Sequence, residues 1–130
     1  MENSVTFFLI DDDTDDREIF LIALEGISEA IDCRYASDGI KALEKLNSDQ
    51  AFVPDYIFLD MNMPRMNGRE CLIEIRKIER LEKVPTFIYS TSVDPGMVTE
   101  VKQLGATDVI IKPTSIRALS DILENLIYKA

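Results

Sequence analysis

Val5-Thr6-Phe7-Phe8-Leu9-Ile10-Asp11-Asp12-Asp13 sets a run of strand-forming residues directly against three acids, and the rest of the chain follows from how that stretch is read. β-Branched and aromatic side chains suit a pleated backbone, and a run apolar at consecutive positions marks a strand covered on both faces. The same design recurs at Asp55–Leu59, which leads into Asp60, and at Val84–Tyr89, which leads into Ser90-Thr91-Ser92. Ile31–Ala36 and Asp108–Ile111 complete five strand-like runs, the last leading into Lys112-Pro113.

Amphipathic stretches between the runs predict helices over 15–26, 39–47, 67–80, 96–104 and 115–128. Thr14 is the expected cap of the first, with Asp15 and Asp16 in its first turn, where the helix dipole favours anions. Asp94-Pro95 reads as a cap followed by the first helical position, and Gly105 as the terminator of that helix. Ile116, Leu119, Ile122, Leu123, Leu126 and Ile127 share one face of the last helix and are expected in the core. Strict alternation of strand and helix predicts an α/β fold, a doubly wound (βα)5 parallel sheet, for which the flavodoxin-like order 2-1-3-4-5 is a common solution. Ligands of such sheets sit beyond the carboxyl ends of the strands, at the switch point between the first and third.

The chain has 130 residues, the size of one domain, so residues 1–130 are expected to form one unit with no output domain. Its hydrophobic fraction of 46% and charged fraction of 29% are those of a soluble globular protein. A net charge of −10 without any basic run argues against direct nucleic-acid binding. Phe7 to Ile10 is too short for a spanning or signal segment, so no membrane insertion and a cytoplasmic location are expected. Cys33 and Cys71 lack any metal-binding spacing and read as small hydrophobes in a reducing compartment. With no His in the chain, phosphohistidine and His-based acid–base chemistry are excluded.

The acids after the first and third strands should converge at the switch point. Like charges about 4 Å apart repel by on the order of 4 kcal/mol at an effective dielectric of ~20, so this cluster needs a cation or a proton. Carboxylate oxygens suit Mg²⁺, which keeps part of its water shell. The hydroxyls after the fourth strand and Lys112 after the fifth reach the same rim, and together these groups can neutralise a phosphoryl group in transfer. Asp60 is the carboxylate best placed as nucleophile, because a carboxylate can form an acyl phosphate.

These residues carry a family resemblance. Ile10-Asp11-Asp12 with Arg17, Leu59-Asp60-Met61-Asn62-Met63-Pro64 followed by Met66-Asn67-Gly68, Ser90-Thr91, Gly105-Ala106 and Lys112-Pro113 occur in order over essentially the whole chain. In this the chain resembles a bacterial two-component response regulator receiver, akin to the stand-alone chemotaxis type. The resemblance implies phosphorylation of Asp60, Mg²⁺ held by Asp12, Asp60 and the Asn62 carbonyl with Asp11 acting through a metal-bound water, Lys112 on the phosphoryl oxygens, and Ser90 swinging toward them after transfer. It implies a histidine kinase or phosphotransfer protein as phosphodonor, a downstream protein as target, and a switch that catalyses only its own phosphorylation and dephosphorylation. Asn62 and Ser92 stand where the family tunes dephosphorylation. Val109 departs from the aromatic frequent three residues before the lysine, and Thr114 from the aromatic frequent after the Lys-Pro pair. The signal is therefore expected to leave through backbone displacement of 91–96 and to alter the surface of the fourth helix, fifth strand and fifth helix.

Several residues have plainer readings. Asp15 and Asp16 read as a solvated charge run, Met61, Met63 and Met66 as packing and loop residues, and Arg17 as a surface partner to the acidic end of the first helix. An EF-hand fails, because Asp16 occupies the glycine position and Ile22 the glutamate position. A haloacid dehalogenase-like phosphatase matches Asp11 and Asp13, but Asp15 stands where that motif wants Thr or Val and no cap domain fits. The remaining rival is a receiver-fold adaptor that binds partners without phosphorylation.

Overall fold

The computed structural model describes residues 4–27 and 30–129. Five strands, β1 (Val5–Ile10), β2 (Ile31–Ala36), β3 (Tyr56–Asp60), β4 (Thr86–Ser90) and β5 (Asp108–Ile111), form one parallel sheet in the order β2-β1-β3-β4-β5. They alternate with α1 (Thr14–Glu25), α2 (Gly39–Ser48), α3 (Gly68–Arg76), α4 (Pro95–Gln103) and α5 (Ile116–Lys129). This is the expected doubly wound, flavodoxin-like fold.

Consecutive apolar residues divide between the two faces, since successive side chains of a strand point opposite ways. Phe8, Ile10, Ile57, Leu59 and Ile88 pack with Ala42 and Leu46 of α2, Cys71, Leu72 and Ile75 of α3 and Val101 of α4. Phe7, Leu9, Phe58, Phe87 and Tyr89 pack with Phe20, Ala23 and Leu24 of α1 and Leu119 and Leu123 of α5. On the second face Phe20 makes edge contacts to both Phe58 and Tyr89, at 5.2 and 5.6 Å between ring centroids, in the range where aromatic pairs attract beyond simple burial. Burial on both faces is what made these strands read as unbroken apolar runs.

The strands expected over Asp55–Leu59 and Val84–Tyr89 start and end one or two residues later, so that Asp60 and Ser90 are their last residues, and four further details differ from expectation. Asp13, not Thr14, caps α1: its side chain accepts from the Asp16 N–H, and Thr14 is the first helical residue. The helix expected over 67–80 stops at Arg76, because Ile78 turns extended and a 3-10 turn follows at Glu79–Leu81. That break keeps Ile78 and Leu81 in the core, and Arg76 reaches across it to the carbonyls of Leu81 and Val84 at 3.1 and 3.2 Å. Ile116 of the α5 stripe is exposed, whereas Leu119 and Leu123 are buried and Ile122, Leu126 and Ile127 pack partly buried against them. Arg17 lies over the Tyr35 ring, 4.5 Å from its centroid, rather than pairing with the acids at the start of α1.

The end of α4 follows the sequence closely. Asp94 caps it with Pro95 in its first turn, and Gly105 takes φ +111° just beyond it. The Ala106 N–H reaches the Val101 carbonyl at 2.9 Å and the Gly105 N–H reaches that of Lys102 at 3.1 Å, which together form a Schellman motif. Cys71 is buried and Cys33 half-buried, both free, with burial pushing each thiol up to about 12. No helix among the described residues is long and apolar enough to cross a membrane.

Candidate functional site

Parallel pairing aligns the carboxyl ends of the strands. Ile10 pairs with Leu59, so Asp11 and Asp60 emerge side by side; Asp60 pairs with Tyr89, and Ser90 with Ile111, so Ser90 and Lys112 follow at the same rim. The Asp11 N–H bonds the Ala36 carbonyl at 3.1 Å and the Lys112 N–H bonds the Ser90 carbonyl at 2.8 Å, fixing both backbones at the strand ends.

Asp11 and Asp60 are buried and Asp12 is exposed, and one carboxylate oxygen from each lies within 4.8 Å of the others. The Lys112 side chain is only 9% exposed, and its ammonium sits 3.1 Å from Asp11 Oδ2, 2.7 Å from Asp16 Oδ2 and 3.6 Å from Asp60 Oδ1, and 5.1 Å from the centre of the Tyr89 ring. A cleft of about 390 Å³ opens over these groups, lined by Asp12, Asp13, Asp16, Asp60, Asn62, Thr91 and Lys112. Two larger or similar hollows lie elsewhere, beside α1, and hold none of these acids.

Burial, and then the neighbouring Asp11 charge, push the Asp60 carboxyl up to about 7, against the pull of Lys112 and the Asn62 N–H. Burial also raises Asp11, opposed by the Asp13 N–H and Lys112. For Lys112, burial acts downward but Asp16, Asp11 and Asp60 outweigh it and hold the ammonium above the usual lysine range. The arrangement is starved of positive charge: several carboxylates share one ammonium. A hard cation with oxygen ligands fits this donor set.

The expected residues Asp11, Asp12, Asp60, Asn62 and Lys112 thus come together. Ser90 lies beside them, buried, with its hydroxyl turned to its own loop: Oγ donates to the Ser92 carbonyl at 3.1 Å and accepts from the Ser92 N–H at 3.3 Å. Asp16 is the correction. Read as solvated, it makes the shortest contact to Lys112. A helix capped at Asp13 turns its third residue back toward the cap, so shifting the cap by one residue from Thr14 would have placed Asp16 on the site side. Asp15 is exposed as expected. Met61 and Met63 are buried and Met66 packs partly buried against the core, so all three are packing residues.

The loop after β3 is held on both sides. Arg65, at φ +65°, centres a γ-turn closed by the Met66 N–H on the Pro64 carbonyl, a backbone region costly for a non-glycine residue. Its guanidinium pairs with Asp38, the cap of α2, and the Lys41 N–H together with Arg65 holds the Asp38 carboxyl below the usual range. Gly68 closes the loop with its N–H on the Met61 carbonyl at 2.9 Å. A Cβ there would meet the Asp60 carbonyl oxygen at 2.5 Å, a clash only backbone movement can relieve. Gly68→Ala is expected to cost about 1–3 kcal/mol. It should also slow any chemistry at Asp60, measured by urea unfolding beside phosphoryl uptake; unchanged values for both would show the loop absorbs the methyl freely.

A parallel (βα)5 sheet with acids at the carboxyl ends of β1 and β3, hydroxyls at that of β4 and a lysine at that of β5 defines a receiver-type signalling domain. The chain belongs to the response regulator receiver domain family, matching it over residues 7–124. Receiver domains are phosphoacceptor switches of two-component signalling rather than conventional enzymes. The chain is 35% identical over 94 residues to a protein-glutamate methylesterase/protein-glutamine glutaminase of Methanospirillum hungatei, covering 72% of this chain and 27% of that protein. It is 35% identical over 111 residues to the CpxR homologue of Haemophilus influenzae, a transcriptional regulatory protein, covering 85% and 45%. The chain therefore spans less than half the length of either relative. The phosphorylated cyanobacterial phytochrome response regulator RcpA superposes with a TM-score of 0.84 at 26% identity, over 95% of this chain and 91% of that one.

Proposed function

We propose that Asp60 accepts a phosphoryl group from a histidine kinase or phosphotransfer protein, and that the phosphorylated chain then binds a downstream protein. The observation that carries this reading is a buried carboxylate, Asp60, set between two further acids and 3.6 Å from a lysine, at the open carboxyl edge of the sheet. The similarity to RcpA, a response regulator solved in its phosphorylated form, supports it.

An Asp60 oxygen attacks phosphorus, the bond from phosphorus to the donor breaks, and an acyl phosphate forms. Asp12, Asp60 and the Asn62 carbonyl are the groups that would hold Mg²⁺, with Asp11 behind them. When bound, the ion supplies positive charge to the transferring oxygens. Lys112 supplies the protein's own positive charge at the same point, and burial strengthens its effect. The Ser90 hydroxyl can exchange its Ser92 partners for a phosphoryl oxygen, which would draw the loop after β4 inward. Val109, packed partly buried against the core, has no ring to rotate, so displacement of 91–96 carries the change to the face of α4, β5 and α5. Phosphorylation can act only by favouring a second arrangement of that face.

Acetyl phosphate with Mg²⁺ is expected to add one phosphoryl group to the intact protein, seen by mass. Beryllofluoride should change hydrogen exchange most over 91–96, α4, β5 and α5. A protein that gains no mass, or exchange changes confined to α2, would refute the respective half of this reading. The phosphatase alternative is the weaker reading: one oxygen of Asp13, the second acid of its motif, is engaged in capping α1.

A further inference from the structure

Asp16, a residue outside the proposed set, lies at the rim of the site. Asp16 stands at the third position of α1, where its backbone N–H is tied to the Asp13 side chain at 3.1 Å. Its Oδ2 accepts a hydrogen bond from Lys112 at 2.7 Å, shorter than the 3.1 Å bond from Lys112 to Asp11. The contact to Asp60, at 3.6 Å, is longer than a hydrogen bond. A lysine ammonium has three N–H donors. Here two are committed to acids other than the one that would be modified.

We propose that Asp16 is a positioning residue that holds Lys112 back from Asp60 in the resting state and competes with the phosphoryl group for it. The inference rests on phosphoryl acceptance at Asp60. The competition follows from the contacts: the ammonium is bonded to Asp11, buried after the end of β1, and most closely to Asp16 on α1, and lies farther from Asp60 than from either. An ammonium drawn toward an acyl phosphate on Asp60 leaves the position fixed by its 2.7 Å bond to Asp16, the shortest contact it makes. A charge-assisted hydrogen bond is among the stronger polar contacts in a protein, so its loss weighs against the phosphorylated arrangement. Asp16 thereby biases the switch toward its unmodified form, weakening phosphoryl retention and shortening the lifetime of the signal.

The proposal predicts a gain on removal, which damage to the fold does not produce. Asp16→Asn should bind beryllofluoride with Mg²⁺ at least about fivefold more tightly than the unmodified chain, the equivalent of roughly 1 kcal/mol. It should also lose phosphoryl groups from Asp60 more slowly. Asp15→Asn removes the same charge one residue away, on an exposed side chain without a contact to Lys112, and is expected to change affinity little. Asp16→Glu, which can still reach the ammonium, should restore most of the original affinity.

Calorimetric titration with beryllofluoride and the decay of phosphoprotein mass, run on the unmodified chain and these three variants, separate the outcomes. A gain for Asp16→Asn alone supports the competition. Equal gains for Asp15→Asn and Asp16→Asn would mean diffuse repulsion of the anion, and no gain or a loss for Asp16→Asn would mean Lys112 serves the phosphoryl group without leaving Asp16; either overturns the proposal. If the unmodified chain binds neither beryllofluoride nor phosphoryl groups, the functional reading fails first and this inference with it.

Discussion

Asp60→Asn is expected to take up no phosphoryl group from acetyl phosphate under conditions that modify the unmodified chain, a loss on the order of a thousandfold or more in rate. The amide keeps the size of the side chain and one oxygen, so the fold and most contacts of the loop after β3 survive. What it removes is the charged oxygen that attacks phosphorus. Asp12 and Asp11 do not replace it: Asp11 is fully buried with its two oxygens bonded to the Asp13 N–H and Lys112, and Asp12 sits out on the exposed rim. Intact-mass measurement after donor and Mg²⁺ treatment checks this directly, and peptide mapping locates any residual label. Label persisting on the variant at the level of the unmodified chain would falsify the assignment of Asp60.

The residues behind that prediction were legible because strand period and strand ends are properties of the sequence itself. Phe7 to Ile10 and Ile57 to Leu59 are apolar at every position, which requires cover on both faces, and the first acid after each such run must stand at the sheet's edge. Once β1 and β3 are neighbours, Asp11 and Asp60 have nowhere else to meet. The residues that escaped depend on offsets finer than a strand. Thr14 and Asp13 are both good caps, and only the fold chooses between them; that choice of one residue moves Asp16 from solvent to Lys112. The break after Arg76 is set by the tertiary bonds of its guanidinium and by the inward turn of Ile78 and Leu81, which a helical pattern over 67–80 does not reveal. Ser90 was placed at the correct strand end, but the direction of a hydroxyl is decided by the nearest unbonded backbone groups, here those of Ser92.

Lys112→Met is expected to destabilise the metal-free protein by about 3 kcal/mol near pH 8, because it leaves buried carboxylates without their cation. Met keeps much of the length of the lysine stem, so the loss is electrostatic rather than a cavity. Its size should depend on pH, with a sign set by the acids. In the folded chain Asp60 titrates at about 7 and Asp11 is raised as well, whereas an unfolded aspartate titrates near ~3.9. Between those values the folded chain holds protons that the unfolded chain has released, so stability falls as pH rises through that window. Lys112 works against this decline. Its ammonium is held above the ordinary lysine range, so its contribution is fully present below about pH 10 and is lost only as pH rises through the folded-state value. Without it, Asp11 and Asp60 rise further, and the decline toward alkaline pH steepens. Near pH 5 the acids can take up protons in place of the missing cation, so the deficit should there shrink to about 1 kcal/mol or less. Added Mg²⁺ should recover part of the loss near pH 8 by binding the folded state alone. Urea unfolding at the two pH values, with and without Mg²⁺, tests each step. A deficit of equal size at both would show that Lys112 supports the fold through packing, and equal stability near pH 8 would show that the acids are already neutralised by other means.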